Sequence, residues 1–525
     1  MNRYIYIFFM AIGSCTHPEG NQLHDSTFLL EEYTIKQLQV EYASGKLSTR
    51  EVVQRYLDRI EAIDDSGPQL NSVIQVNPDV LTIADQLDQE RREGKVRGPM
   101  HGVPVLLKDN IDTHDKMQTT AGSRALIGSY PLQDSEVARK LREAGAVILG
   151  KANLSEWANF RGQLSSSGWS GVGGQTKNPY DITRNPCGSS SGSGVAVSAN
   201  LAMLAIGTET NGSIVCPSNN NGIVGLKPTV GLVSRSGIIP ISFTQDTAGP
   251  MTRTVTDAAI CLGVLAGIDS TDSKTLDPSR PQFTDYTQFL KKDGLKGKRL
   301  GLYKTPMGRH FKVDKVMNDA VEYIKSQGAE IIEIEEIGSS DVGENSLNVM
   351  LYEYKDGLNK YFQSLGPNAK IKSIEELIAF NQRDTIEMKH YNQHWLVEAQ
   401  KKDGLESVEY HKILQDMLKG IRNLGIDKVM DENKLDAIIA PTGGPAGKTD
   451  WTNGGSGQVS SSSPAARSGY PNITVPMGFI EGLPVGISFF GRAWSEGVLL
   501  EIAYAYEQGT LHRKPPRFLT SNYQE

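Results

Sequence analysis

Short, nearly unbroken apolar runs recur along this chain, and stretches with helical periodicity separate them. VPVLLKD at 103–109, AVILGK at 146–151, KRLGLYK at 298–304, LDAIIAPT at 435–442 and PVGISFFGRA at 484–493 read as strands. Apolar runs without alternation belong to strands covered on both faces. Between them, SEVARKLREAGA reads as a helix ending near Gly145, TVTDAAICLGVLAG as another, and SEGVLLEIAYAYEQGT as the last. Near the start, Ser48 precedes TREVVQRYLDRIEAI and Glu51 stands three residues on, a capping box. Val52, Val53, Tyr56, Leu57 and Ile60 then repeat at helical spacing, and a second helix covers 80–93. This alternation predicts an α/β fold with a central mixed β-sheet flanked by helices.

Two segments break the rhythm. The charged block around 344–403 is helical and predicts an insertion beside the sheet. The glycine- and serine-rich run 442–463 predicts a long irregular loop, a kind of segment that often carries function. Glycine is abundant, 53 of 525 residues, and gathers between 160 and 250, as in a site built from main chain. The formal charge is -7 and there is no dense Lys/Arg stripe, so nucleic acid is not an expected partner.

The N-terminus differs from the rest. Asn2 and Arg3 precede an apolar run over 4–12, followed by Gly13, Ser14 and Cys15. A basic start, an apolar core and small residues predict a leader and tether over 1–22, hence export. IGSC also resembles the lipobox of a bacterial lipoprotein, in which Cys15 would carry a lipid anchor. A buried N-terminal segment and a cytoplasmic protein are the alternative. With Cys15 set aside, Cys187, Cys216 and Cys261 form an odd set that cannot fully pair, and each reads as a small core residue. The nine histidines are scattered without metal-ligand spacing; no metal or cofactor is expected.

Chemistry concentrates between 187 and 213, in CGSSSGSGVAVSANLAMLAIGTETNGS. Two serine- and glycine-rich turns bracket an apolar segment. Ser213 ends the second turn, and Thr210, Asn211 and Gly212 can aim successive N–H groups at one small space, as an oxyanion requires. A hydroxyl is a weak nucleophile and needs a base. Ser189 lies in the first turn, and Lys108 ends a strand-like run upstream. A surface lysine stays protonated near ~10.4, whereas burial would lower that value and make it a base. Taken singly, Ser213 also reads as an exposed turn serine and Lys108 as an exposed strand end. GSSSGS lacks the Gly-Lys-Ser/Thr ending of a nucleotide-binding P-loop, which disfavours an ATPase. Asp109 follows Lys108 and faces the other side of a strand, so it reads as an organiser of backbone rather than a partner of the lysine.

The order of long motifs changes the odds. HGVPVLLKDN, GAVILGKANLSEWANF, NPCGSSSGSGVAVSAN, GTETNGSIVCPSNNNGIVGLKP and GLVSRSGIIPISFTQDTAGPMTRTVTDAA resemble the amidase signature family, and so do LDAIIAPT and the segment from GYPNITVPMGF onward. The resemblance implies a single amidase domain over 23–520. It implies a Ser-Ser-Lys triad of Lys108 as base, Ser189 as relay behind a cis peptide bond, and Ser213 as acylated nucleophile. It also implies an oxyanion hole from the backbone of Thr210, Asn211, Gly212 and Ser213. Asn211 replaces the first of the family's usual two glycines, and its side chain would touch the leaving group or narrow the site. Glu209 would anchor the nucleophile loop, and Asp246 and Arg253 belong to the framework.

Within the family the likeness is strongest to enzymes that remove ammonia from C-terminal peptide amides. Expected substrates are therefore peptide amides or N-acyl amino-acid amides, with Trp157, Phe160, Trp169 and Tyr352 either lining a pocket or filling the core. The alternatives are a glutamine-hydrolysing amidotransferase A subunit and a fatty or aryl amide hydrolase. A monomer is expected.

Overall fold

The computed structural model describes residues 28–455, 457 and 459–520. The leader and tether predicted over 1–22, with Cys15, lie outside the described residues. Thirteen strands are present among the described residues. In chain order they are β1 (Val73–Val76), β2 (Pro104–Lys108), β3 (Val147–Ala152), β4 (Trp169–Ser170), β5 (Gly174–Gln175), β6 (Leu204–Glu209), β7 (Val224–Lys227), β8 (Thr247–Thr252), β9 (Arg299–Tyr303), β10 (Glu330–Ile334), β11 (Ala437–Pro441), β12 (Asn472–Ile480) and β13 (Leu483–Phe490). All but the β4–β5 hairpin join one sheet in the order β1-β3-β2-β6-β8-β7-β12-β13-β11-β9-β10. The sheet is mixed: β3, β2 and β6 run parallel, as do β11, β9 and β10, while β6 through β13 alternate direction.

The expected α/β architecture is present, and the five apolar runs read as strands all lie in this sheet. β2, β3, β6, β7, β8, β11 and β13 are buried at every position. Helices cover both flanks: Glu496–Thr510 packs on β12 and β13, Val255–Leu265 on β8, and Ser191–Ser198 on β6. The capping box at Ser48 forms as read, with Ser48 Oγ accepting the Glu51 N–H and Glu51 accepting the Ser48 N–H at 2.8 Å. No helix among the described residues is long and apolar enough to cross a membrane.

Three elements escape the sequence reading for physical reasons. β8, TAGPMT, contains Gly249 and Pro250, residues that usually end strands, yet it pairs with β6 and β7. β12 contains Pro476, and the register shifts between Pro476 and Gly478, a bulge that accommodates the missing N–H. Ser191–Ser198 is a helix with every residue buried, so it shows no amphipathic period. Gly192 is required there, because a Cβ would meet the Ser72 carbonyl oxygen at 2.2 Å.

Between β10 and β11 the chain runs through the helices Val342–Ser364, Ile374–Asn381, His394–Gln400 and Val408–Leu418. The first is tied to the sheet side by one buried carboxylate. Glu353 accepts hydrogen bonds from Ser242 Oγ, Thr244 Oγ1, the Thr244 N–H at 3.1 Å and the Tyr410 hydroxyl at 2.7 Å. Glu353→Leu leaves those donors unpaired, at about 1–3 kcal/mol for a buried group. It should lower the thermal midpoint clearly more than Glu344→Leu at the start of the same helix; equal midpoints would refute the tie.

Candidate active site

The carboxyl ends of β2 and β6 lie side by side, because Leu107 of β2 pairs with Ile206 of β6 in parallel register. Open α/β sheets present their ligand sites at strand carboxyl ends. Lys108 is the last residue of β2, and Thr208 and Glu209 end β6. Lys108 is fully buried, so the reading of an exposed strand end does not hold. Its Nζ lies 2.7 Å from Ser189 Oγ, 2.9 Å from Thr208 Oγ1 and 3.2 Å from the Thr208 carbonyl oxygen. Burial pulls the Lys108 ammonium down to about 7, while the carboxylates of Asp246 and Glu209 draw it partly back up. Asn110, two residues on, donates from Nδ2 to Thr208 Oγ1 at 3.0 Å. Asp109 faces away and accepts from the Thr120 N–H and hydroxyl, the backbone role read from its strand position.

Ser189 is buried and follows a cis peptide bond at Gly188–Ser189, the feature the family resemblance implied. The next residue joins the two turns: the Ser190 N–H donates to the Ser213 carbonyl oxygen at 3.2 Å. Ser190 Oγ also donates to the Thr208 carbonyl at 3.0 Å, so the first turn is fastened to the end of β6. Ser213 is 8% exposed, so it is no open turn serine.

Three carboxyl or amide side chains fix the second turn. Glu209 accepts from the N–H groups of Ile214 at 2.8 Å and Val215 at 3.1 Å, just past Ser213. The anchoring expected of Glu209 is therefore present. Asp246 accepts from Thr210 Oγ1 at 2.6 Å and from the N–H groups of Ile241 and Ser242. Burial raises the Asp246 carboxyl to about 6, against the pull of those donors. The Asn211 side chain is bonded on both ends: its Oδ1 accepts from Ser462 Oγ at 2.8 Å and its Nδ2 donates to Ser463 Oγ at 3.3 Å. It thus ties the turn to the end of the 442–463 loop. Gly212 has φ +84, a left-handed conformation that favours glycine.

Beside these residues opens a cavity of about 600 Å³, within the range of small-ligand pockets. Asn110, Thr208, Thr210, Ile241, Asp246 and Tyr361 are among its walls. The aromatics considered as pocket lining are core instead. Trp157 and Phe160 pack with Tyr354, Leu358 and Phe362, while Tyr352 packs with Tyr410 in a separate cluster. Trp169 is buried against His390 and Tyr391. Arg253 holds framework, donating to the carbonyls of Ala202 and Tyr33.

The cysteine reading is corrected. Cys187 and Cys216 form a disulfide across a 5.9 Å Cα–Cα separation, and only Cys261 is a buried free thiol among the described cysteines. Counting thiols could not reveal this, because the pair is 29 residues apart and meets only when the two turns fold together. Thr208 as partner of the lysine, and Asn110 as donor to that same Thr208 hydroxyl, were also missed. Their positions within GTETNGS and KDN were the available signal.

The sequence profile of the Amidase family matches residues 51–500. The chain belongs to the amidase family. It is 43% identical over 524 residues to a probable amidase of Arabidopsis thaliana, covering 97% of this chain and 95% of that one. Among solved structures, the native peptide amidase from Stenotrophomonas maltophilia superposes with a TM-score of 0.90 at 49% identity, over 94% of this chain and 99% of its own. A peptide amidase solved with the competitive inhibitor chymostatin gives the same TM-score and identity, over 93% of this chain and 99% of that chain. This amidase therefore acts on amide substrates with serine-hydrolase chemistry, and the geometry around Lys108 and Ser189 is consistent with it.

In this amidase, removal of the Glu209 carboxylate should loosen the turn that follows Ser213. Glu209→Ala leaves two amide N–H groups without their acceptor, at about 1–3 kcal/mol. Hydrogen exchange at Ile214 and Val215 should then accelerate relative to β7; unchanged protection at both amides would overturn the anchoring role.

Proposed function

We propose that this amidase hydrolyses the C-terminal carboxamide of peptides or N-acyl amino-acid amides, releasing ammonia through an acyl-enzyme on Ser213. The observation that carries this reading is the buried Lys108–Ser189 pair. A neutral lysine has one lone pair and two N–H donors. Donation to the Thr208 carbonyl and Oγ1 leaves the lone pair for Ser189. Ser189 then accepts a proton from Ser213 as it gives its own to Lys108, and Ser213 attacks the amide carbonyl. Backbone N–H groups of Thr210, Asn211, Gly212 and Ser213 stabilise the oxyanion, at about 3 kcal/mol per donor in comparable sites. The relay runs backward to protonate departing ammonia, and water repeats the cycle on the acyl-enzyme. No metal or cofactor enters this scheme.

The 49% identity to a peptide amidase over nearly the whole chain supports the peptide-amide substrate over a glutamine amidotransferase or a fatty or aryl amide hydrolase. We read residues 23–520 as one domain acting as a monomer. The Cys187–Cys216 disulfide supports export, because such bonds persist in oxidising compartments. A lipid anchor at Cys15 is the accompanying reading.

The first test is ammonia release from a C-terminal peptide amide, the matching free peptide, glutamine and a long-chain fatty amide. Turnover should be confined to the peptide amide and should fall at least about 10³-fold in Ser213→Ala. Turnover of glutamine or the fatty amide instead, or an active S213A protein, would overturn the reading. The second test is the pH profile. Lys108 works only when neutral, and its folded value of about 7 lies below that of a free lysine. Activity should therefore climb with pH through about 7 and be lost below it as Lys108 protonates. An acid limb lying near the free-lysine value would refute a buried, neutral base.

A further inference from the structure

One covalent bond joins the two turns of the site. Cys187 stands two residues before Ser189, and Cys216 stands three residues after Ser213. On the first turn, Cys187 is held by its N–H to Asn185 Oδ1 at 2.8 Å and by its carbonyl, which accepts from Ser191 Oγ at 2.6 Å. On the second, the Cys216 N–H donates to the Gly212 carbonyl at 2.8 Å, inside the turn that carries Ser213. Non-covalent ties between the turns are neutral hydrogen bonds. They include Ser190 N–H to the Ser213 carbonyl at 3.2 Å, Asn221 Nδ2 to the Pro186 carbonyl at 2.9 Å and Asn220 Nδ2 to the Asn185 carbonyl at 3.4 Å. Both cysteines are partly exposed, so a small dithiol can reach the bond, whereas Cys261 is buried.

We infer that the Cys187–Cys216 disulfide positions the relay turn against the nucleophile turn and makes turnover conditional on its oxidised state. The inference rests on the proposed roles of Ser189 and Ser213. Proton relay between two hydroxyls demands hydrogen-bond reach, and a misplacement of about 1 Å can cost 10²-fold in rate. Reduction opens this link by thiol–disulfide exchange. One thiolate of a dithiol attacks a cysteine sulfur, its second thiolate closes the dithiol's own disulfide, and two electrons and two protons pass to Cys187 and Cys216. Glutathione disulfide reverses the step, leaving two glutathione thiols. A chain in a reducing compartment carries two thiols and turns over slowly; an oxidising compartment closes the bond and raises kcat. Cys187 and Cys216 are thus positioning residues and touch no reacting atom.

The experiment uses the full-length protein and a C-terminal peptide amide. kcat and KM are measured before reduction with dithiothreitol, after it, and after reoxidation with glutathione disulfide, with alkylation and mass analysis recording the state of each cysteine. The expected result is a kcat lower by about 10-fold in the reduced protein, KM within twofold, unchanged near-ultraviolet circular dichroism and recovery on reoxidation. Cys187→Ala/Cys216→Ala should match the reduced protein and ignore dithiothreitol, while Cys261→Ala should keep the response. Full kcat with both thiols alkylated would overturn the inference, and so would a loss that appears only in KM or only as the near-ultraviolet signal collapses. If the double variant does not fold, the reduction series on the native chain decides alone. Labelling by a serine-reactive probe, compared with Ser213→Ala, keeps the two ideas apart. A redox-insensitive enzyme that still labels at Ser213 removes this inference only, whereas labelling that survives in S213A removes the nucleophile assignment itself.

Discussion

Desolvation of one ammonium group is the constraint on which the site depends. Lys108 ends a strand buried at every position, and its side chain is fully buried. A charged lysine there would forfeit its hydration, so the fold favours the neutral amine and brings its protonation to about 7. The same burial demands partners for the amine, and Thr208 and Ser189 supply them. Two nearby carboxylates, Asp246 and Glu209, temper the shift and leave the amine poised near neutral pH, the range in which the proposed general base would work best.

Those carboxylates have mechanical duties as well. Glu209 ends β6 and gathers the N–H groups after Ser213, while Asp246 holds Thr210 from the other side. Asp246 in turn grips the backbone of Ile241 and Ser242, and Ser242 and Thr244 lean on Glu353 of the helix Val342–Ser364. A chain of buried, hydrogen-bonded carboxyl groups therefore runs from the helices between β10 and β11 to the turn that carries Ser213. Burying a carboxylate is costly unless it accepts hydrogen bonds, so the donors each one gathers hold the adjoining segment in place. Asn211 adds a third restraint on the turn by clasping Ser462 and Ser463 at the end of the long loop.

Much of this was legible from the chain alone. Continuous apolar runs identified the strands that are buried on both faces, and the capping residues placed the early helix. The two glycine- and serine-rich turns and the lysine at a strand end stood out in the chain, and the fold brings them together. What resisted reading shares one cause: local pattern was overruled by neighbours. β8 carries glycine and proline yet sits mid-sheet, because β6 and β7 flank it on both sides. The helix Ser191–Ser198 has no polar face, because nothing around it is solvent. Trp157, Phe160 and Tyr352 looked equally suited to a pocket or a core, and packing alone chose the core.

The sequence by itself determined the α/β class and the family, and it singled out Lys108, Ser189 and Ser213 as the candidates for the proposed chemistry, because motif order and hydrophobic period are properties of neighbouring residues. Tertiary structure decided the protonation range of Lys108, its bonding to Thr208, the support Asn110 gives that threonine, the clasp of Asn211 on Ser462 and Ser463, and the pairing of Cys187 with Cys216. Each of these depends on groups distant in sequence sharing a small, water-poor volume. Distance, dielectric and hydrogen-bond direction exist only once the sheet has brought β2 and β6 side by side.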